Sequence, residues 1–298
     1  MNHKKIHAEF IQYRRNIENI SENTCRVYKE SFDSYSAYCD YICEQMTFST
    51  KQLIGYFIYI RERRHYKATA SMVRRKGLKA YCTYLVKAGQ IQLNPFETIA
   101  KPLIGRHLPK FLTFKQATLI IESIEGYPYK SKLKQYRDLT TVGLFMFCGL
   151  RRNELLHLRI NDIDITTNHT ILIINAKGEK DRVVKIHPRL EEWLKKYLKL
   201  RGSQPTDRLL ISSSRCTQPF YDSGLKKLWR QVKTQTGIHV FNHLLRSTAA
   251  TLLLHGGASI EVVKQILGHT KIGTTAIYLG CDPAMQMEGI LKHPLGKI

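Results

Sequence analysis

HLLRSTAATLLLHGGASIEVVKQILGHTKIGTTAIY, residues 243–278, sets the imidazoles of His243 and His269, a guanidinium and a phenol at helical spacings. His243 and Arg246 are three residues apart, so on a helix they project from one face. Leu245, Ala249, Leu252 and Leu253 follow the i, i+4, i+7, i+8 rule, so this helix is expected to anchor on a core while His243 and Arg246 face a cleft. Gly256 and Gly257 end it. A second short helix, Ser259 to Leu267, turns Ile260, Val263 and Leu267 inward, and Gly268 is placed to cap it before His269. Tyr278 follows nine residues later. Such side chains suit a phosphate group, although two helices joined by Gly-Gly also fit a helix-turn-helix that reads a groove.

The rest of the chain favours a polyanionic partner. Of its 298 residues, 43% are hydrophobic and 24% charged, ordinary for a globular protein. The balance of charge is not ordinary: 47 Lys and Arg against 24 Asp and Glu leave +23, with a pI near 9.8. An anionic membrane is the rival partner, but no apolar run approaches the roughly 18 residues needed to span a bilayer. The amino end, MNHKKIHAEF, lacks the apolar core of a signal peptide, so a cytoplasmic protein working on nucleic acid, away from membrane, is expected. The seven cysteines are scattered with no Cys-x-x-Cys, and no metal site is expected.

In chain order, the first hundred residues read as helices: Phe10 to Ile17, a long run opened by Ser21-Glu-Asn-Thr24, Phe48 to Arg61, and Ala68 to Lys87. Residues 1–60 carry seven basic and seven acidic residues and net to zero. The surplus begins after them. From Arg61 to Lys87, nine basic residues face Glu62 alone, with Tyr66, Tyr81 and Tyr84 between them. Arg61, Arg63, Arg64, Lys67, Arg74, Arg75, Lys76 and Lys79 are therefore the candidate phosphate-contacting residues.

Residues 89–111 contain three prolines and Gly105, which excludes a continuous helix and marks a linker. The expected division is a helical domain over 1–100, a linker over 101–111 and a second domain over 112–298. In the second domain, helical patterns at Lys115 to Ile124 and Lys134 to Cys148 lead to Gly149-Leu150-Arg151. There the glycine turns the chain so that Arg151 opens a helix whose inward face is Leu155 and Leu158. Thr170 to Asn175 and Asp181 to Ile186 are β-rich runs around a glycine-containing turn with Lys177 near its tip. Further helices follow from Glu191 and Ser223.

In this order, Gly-Leu-Arg151, Lys177 in a hairpin turn, His243-x-x-Arg246, Leu-Gly-His269 and Tyr278 resemble the tyrosine recombinase, or phage integrase, family. The amino half agrees: Ser-Glu-Asn-Thr24, Tyr66-Lys-Ala-Thr69 and Asn94-Pro95 before a basic linker are similar to the helical core-binding domain of Xer-like members. Ser247, where relatives often carry a bulkier residue, and Lys115, where an acid is common, depart from the pattern.

The resemblance implies a mainly α chain with a small β-hairpin or sheet: an all-helical core-binding domain and a mixed α/β catalytic domain. It implies catalytic roles for Arg151, Lys177, His243, Arg246, His269 and Tyr278, in site-specific cutting and rejoining of DNA through a 3′-phosphotyrosyl intermediate. A phenol with pKa near 10 is only about one part in a thousand ionised at pH 7, so Tyr278 needs cations and a proton acceptor. Since the phosphotyrosyl ester keeps the energy of the original linkage, rejoining needs neither ATP nor metal, and no cofactor is expected. The expected partners are double-stranded DNA, a homo- or heterotetramer on paired sites, and a possible second recombinase or accessory protein. Type IB topoisomerase-like relaxation and non-catalytic DNA binding remain the alternatives at this point.

Overall fold

Ser21, Ser49, Thr113, Ser131 and Ser259 each place a side-chain oxygen to accept a hydrogen bond from the opening turn of a helix, and these caps divide the chain into its elements. The computed structural model describes residues 2–103, 105, 109–174, 181–214 and 217–268. It separates into two compact units, Met1–Arg106 and His107–Ile298.

The first unit holds four helices: α1 (His3–Asn16), α2 (Glu22–Tyr41), α3 (Thr50–Glu62) and α4 (Ala68–Lys87), followed by a single 3₁₀ turn at Pro95–Glu97. Its core is aromatic. Phe10, Phe32, Tyr35, Phe48, Tyr56, Tyr81 and Phe96 are buried together with Leu53, Leu78 and Leu85. The buried hydroxyls find partners: Tyr35 donates to Gln52 Oε1 at 2.6 Å and Tyr56 to Ser34 at 2.8 Å.

Helix α1 begins earlier than Phe10, because Asn2 caps it and its inward stripe is His3, His7 and Phe10. A hydropathy pattern scores histidine as polar and misses two of those three positions. His7 stacks on Phe32 with ring centroids 4.0 Å apart, and burial, seconded by the Lys29 charge, pushes its pKa down to about 4. At neutral pH it is therefore an uncharged core ring.

The second unit contains α5 (Phe114–Glu125), α6 (Lys132–Met146), α7 (Arg152–His157), β1 (Ile163–Asp164), β2 (Thr170–Ile173), β3 (Arg182–Lys185), α8 (Pro188–Arg201), α9 (Asp222–Thr236), α10 (Asn242–His255) and α11 (Ile260–Leu267). Helix α6 is buried nearly all round and packs against α5, α8 and α10. The three strands form one antiparallel sheet in the order β1-β2-β3. The expected hairpin is present as β2 and β3, each shorter than the sequence pattern proposed, and β1 adds an edge strand that it did not announce.

Along β3 the register sets Val184 opposite Ile171 and Arg182 opposite Ile173, so an arginine occupies an inward position of the sheet. On α10 the buried face runs through Leu245, Ala249, Ala250 and Leu254, while Leu252 and Leu253 are only half-buried. The stripe is thus rotated from the one expected, and Arg246 goes inward with it. Among the described residues, no helix is long and apolar enough to cross a membrane.

Candidate active site

The loop between α6 and α7 decides where the first guanidinium stands. Gly149 turns the chain at φ +57°, and a Cβ there would meet Leu267 Cδ2 at 2.4 Å, so only glycine allows this turn to lie against the end of α11. Arg151 follows as the N-cap of α7, and its backbone N–H donates to Glu154 Oε2 at 2.7 Å. Its guanidinium donates to Glu154 Oε1 at 2.9 Å and to the Gly268 carbonyl at 3.1 Å. The side chain is 32% exposed.

Arg246 lies at the other side of the same turn. Its guanidinium donates to the Gly149 carbonyl and the Leu267 carbonyl, both at 2.5 Å, and one nitrogen stands 4.0 Å from Glu154 Oε2. Only 4% of this residue is exposed. The expectation that both His243 and Arg246 face a cleft is corrected here: His243 is exposed, whereas Arg246 is a buried brace between the α6–α7 turn and the end of α11. Partial desolvation and then the Arg246 charge hold the His243 imidazole below its usual pKa, which favours the neutral ring as a proton acceptor.

Two members of the cluster were not among the expected site residues. Glu154 takes hydrogen bonds from Arg151 and from both terminal nitrogens of Arg182, at 2.9 and 2.8 Å. Burial by itself would raise this carboxyl, but the Arg182 hydrogen bonds and charge, then the Arg151 bonds, outweigh it and hold the pKa at about 2. Three guanidiniums therefore converge on one ionised carboxylate. Both residues carried a readable signal: Glu154 sits three positions after Arg151, where an N-terminal carboxylate closes a capping box, and Arg182 continues the inward alternation of Val184 and Ile186. Cys148, beside this cluster, is a fully buried thiol pushed up to about 12 by desolvation, which makes it a core group and not a nucleophile.

Lys177, His269 and Tyr278 lie outside the described residues. So do the expected turn of the hairpin and the tail that follows Tyr278.

In the first unit, the candidate phosphate contacts divide. Arg61, Arg63, Arg64, Lys67 and Lys76 are exposed. Arg74 pairs with Glu30 at 3.2 Å and Lys79 with Glu97 at 3.0 Å. Arg75 is a correction: it is 4% exposed, donates to the carbonyls of Phe96 and Ile99, and lies over the Phe96 ring, so it ties α4 to the segment after it instead of meeting solvent. The interleaved tyrosines also turn inward, Tyr81 fully and Tyr66 and Tyr84 in part. Among the described residues there is no cluster of metal-ligating side chains.

Comparison with known proteins places the chain in a family. Residues 110–284, more than half of the chain, match the phage integrase family. A tyrosine recombinase of Pseudothermotoga lettingae is 28% identical over 97% of this chain and 98% of its own length. The tyrosine recombinase XerC of Thermodesulfovibrio yellowstonii is 30% identical over 78% of each chain. Among solved structures, XerA recombinase is 25% identical with a TM-score of 0.55, covering 97% of this chain and 98% of its own. XerH shares the fold with a TM-score of 0.76 at 21% identity, covering 96% of this chain and 84% of its own. With the mainly helical layout and small sheet described above, these matches establish that the chain belongs to the phage integrase family and is a tyrosine recombinase, an enzyme of site-specific DNA recombination.

Proposed function

We propose that the Glu154-centred cluster is the phosphate-holding part of a strand-cleavage site, completed by Lys177, His269 and Tyr278. The observation that carries this reading is the convergence of Arg151 and Arg246, ninety-five positions apart in the chain, on one carboxylate and one turn. Guanidinium forks fixed in this way suit the non-bridging oxygens of a phosphodiester and stabilise the charge that gathers on them in the transition state. The fixed frame also means that little reorganisation accompanies the reaction.

The Tyr278 oxygen attacks phosphorus and its proton passes to His243, whose depressed pKa keeps the imidazole free to take it. The bond from phosphorus to the 5′ oxygen breaks, Lys177 gives that oxygen a proton, and His269 donates to the phosphate. A 3′-phosphotyrosyl enzyme and a free 5′ hydroxyl result. Attack by a 5′ hydroxyl from another strand reverses each step and completes the exchange. The exposed cations from Arg61 to Lys76 hold the duplex by its backbone, in keeping with the chain's net charge of +23. Four protomers on two paired sites, of this chain or of this chain with a second recombinase, complete the reaction in the cytoplasm, with or without an accessory protein.

A substrate nicked beside the scissile phosphate tests this directly, because loss of the short 5′ fragment traps the covalent intermediate. The parent chain should leave a protein–DNA adduct stable to denaturant, and Tyr278→Phe should bind the same site and leave none. An adduct that persists in Tyr278→Phe moves the nucleophile to another tyrosine.

A further inference from the structure

Arg182 belongs to none of the roles above, yet it is firmly held within the cluster. Its Nη1 and Nη2 donate to the two oxygens of Glu154 at 2.9 and 2.8 Å, and its Nε donates to the Ile266 carbonyl at 2.8 Å. Every nitrogen of the guanidinium is thereby engaged, and the side chain is 7% exposed. The chain also makes room for it. Gly268 takes φ +64°, and a Cβ at that position would meet Arg182 Nη1 at 2.9 Å and Cδ at 3.0 Å. Three segments meet at this one group: strand β3 in register with β2, the first turn of α7, and the end of α11. In sequence, only Asp181 separates residues 175–180 from β3, and Gly268 directly precedes His269.

We propose that Arg182 is a positioning residue for cleavage, which clamps the Glu154 carboxylate so that Glu154 in turn orients Arg151 toward the phosphate. The assignment rests on the strand-cleavage reading of the site. Arg182 acts through Glu154 because each of its three nitrogens, Nε included, already donates to that carboxylate or to the Ile266 carbonyl. Bidentate pairing fixes the carboxylate plane, and each Glu154 oxygen then receives one further bond from Arg151, one from its backbone N–H and one from its guanidinium. A clamp released here lets Arg151 drift, and a displacement of about 1 Å is enough to cost on the order of 10²-fold in rate.

Arg182→Met keeps the length of the stem and removes the fork. Single-turnover cleavage of a nicked site at saturating protein should slow on the order of 10²-fold while site affinity holds. A second readout distinguishes positioning from general support. Without its strongest partner, the buried Glu154 carboxyl rises from about 2 toward and beyond the ordinary carboxylate range. Because the ionised form is the one that orients Arg151, Arg182→Met should lose activity as pH is lowered through mildly acidic values by more than the fall that protonation of His243 gives both proteins. In a double-mutant cycle with Glu154→Gln, the combined variant should be no slower than Glu154→Gln alone.

Should Arg182→Met not fold, as judged by its thermal melt, Arg182→Lys carries the test, since it keeps the charge and loses the fork; a smaller loss and a smaller added fall at acidic pH are then expected. Cleavage by the folded variant at the parent rate with the parent pH profile overturns the proposal, as do fully multiplicative effects with Glu154→Gln. A parent chain that leaves no adduct would instead overturn the strand-cleavage reading itself.

Discussion

Two parts of this molecule present clustered cations, and they are built on opposite principles. Along the connection from α3 into α4, Arg61, Arg63, Arg64, Lys67 and Lys76 stand in solvent, and Arg74 and Lys79 lean on single acids. Around Glu154, Arg182 and Arg246 are almost fully enclosed and bonded to a carboxylate or to carbonyls, with Arg151 the most open of the three. The exposed set is a soft field that adapts to any phosphate backbone and is screened by salt. The enclosed set is rigid, with its desolvation offset by partners that remain in place, so it can favour one geometry over another. Charge in the sequence counts both alike, and only burial separates attraction from chemistry.

The largest expected effect tests whether the enclosed set differs in kind. Arg151→Ala and Arg246→Ala should each lower the single-turnover cleavage rate by about 10²–10³-fold, the usual loss for one preorganised donor to a developing oxyanion. Arg246→Ala should also lose stability, because the Gly149 and Leu267 carbonyls are left without that donor, at about 1–3 kcal/mol for an unsatisfied buried group. Kinetics at saturating DNA together with a denaturant midpoint separate the two consequences. A variant that only binds more weakly, uniformly on all sequences, would put the enclosed arginines in the same class as the exposed ones.

Much of this is legible in the sequence. The helix openings at Ser21 and Ser259, the 68–87 helix, the β2–β3 pairing and the roles of Gly149 and Gly268 follow from local rules that tertiary packing did not override. What escaped was the fate of individual charges. On α4 the inward stripe runs Ser71, Arg75, Leu78, Cys82 and Leu85, and along β3 it runs Arg182 and Val184 and continues to Ile186 just beyond the strand. In both places an arginine occupies a position whose neighbours are apolar, and that placement signals a buried cation with a dedicated partner. At α4 the density of basic residues masks it, and at β3 Arg182 stands at the first position of a four-residue strand. Long-range partners such as Phe96 and Ile99 for Arg75, or Ile266 for Arg182, cannot be read from spacing, since nothing local ties those segments together.

The next effect sharpens the comparison inside the first unit, where neighbours in sequence should behave oppositely. Arg75→Met should destabilise the chain by about 1–3 kcal/mol through the unpaired Phe96 and Ile99 carbonyls, while leaving the dependence of DNA affinity on salt unchanged. Lys76→Gln should leave stability within about 0.5 kcal/mol and flatten the log–log salt slope by about one. Thermal melts and binding at three salt concentrations are sufficient. If Arg75→Met flattens the slope and Lys76→Gln does not, then burial in the free chain does not tell which cations meet DNA.

The smallest effect concerns the cations that are neither free nor enclosed. Lys79 holds Glu97 at 3.0 Å, with side chains 41% and 69% exposed, so the pair is worth little: exposed ion pairs contribute about 0–1 kcal/mol. Glu97→Gln should accordingly leave the melting behaviour almost unchanged. The same carboxylate, however, competes with phosphate for the Lys79 ammonium and repels the duplex. Its removal should therefore tighten binding at low salt by no more than about 3-fold, roughly 0.6 kcal/mol, and the gain should vanish as salt rises. Asp or Glu at the edge of a basic surface would then act as a trim on non-specific affinity, keeping the protein able to leave the wrong sequence. Unaltered affinity in Glu97→Gln at every salt concentration would mean that Lys79 never exchanges Glu97 for a phosphate, and would reduce the soft field to the fully exposed residues alone.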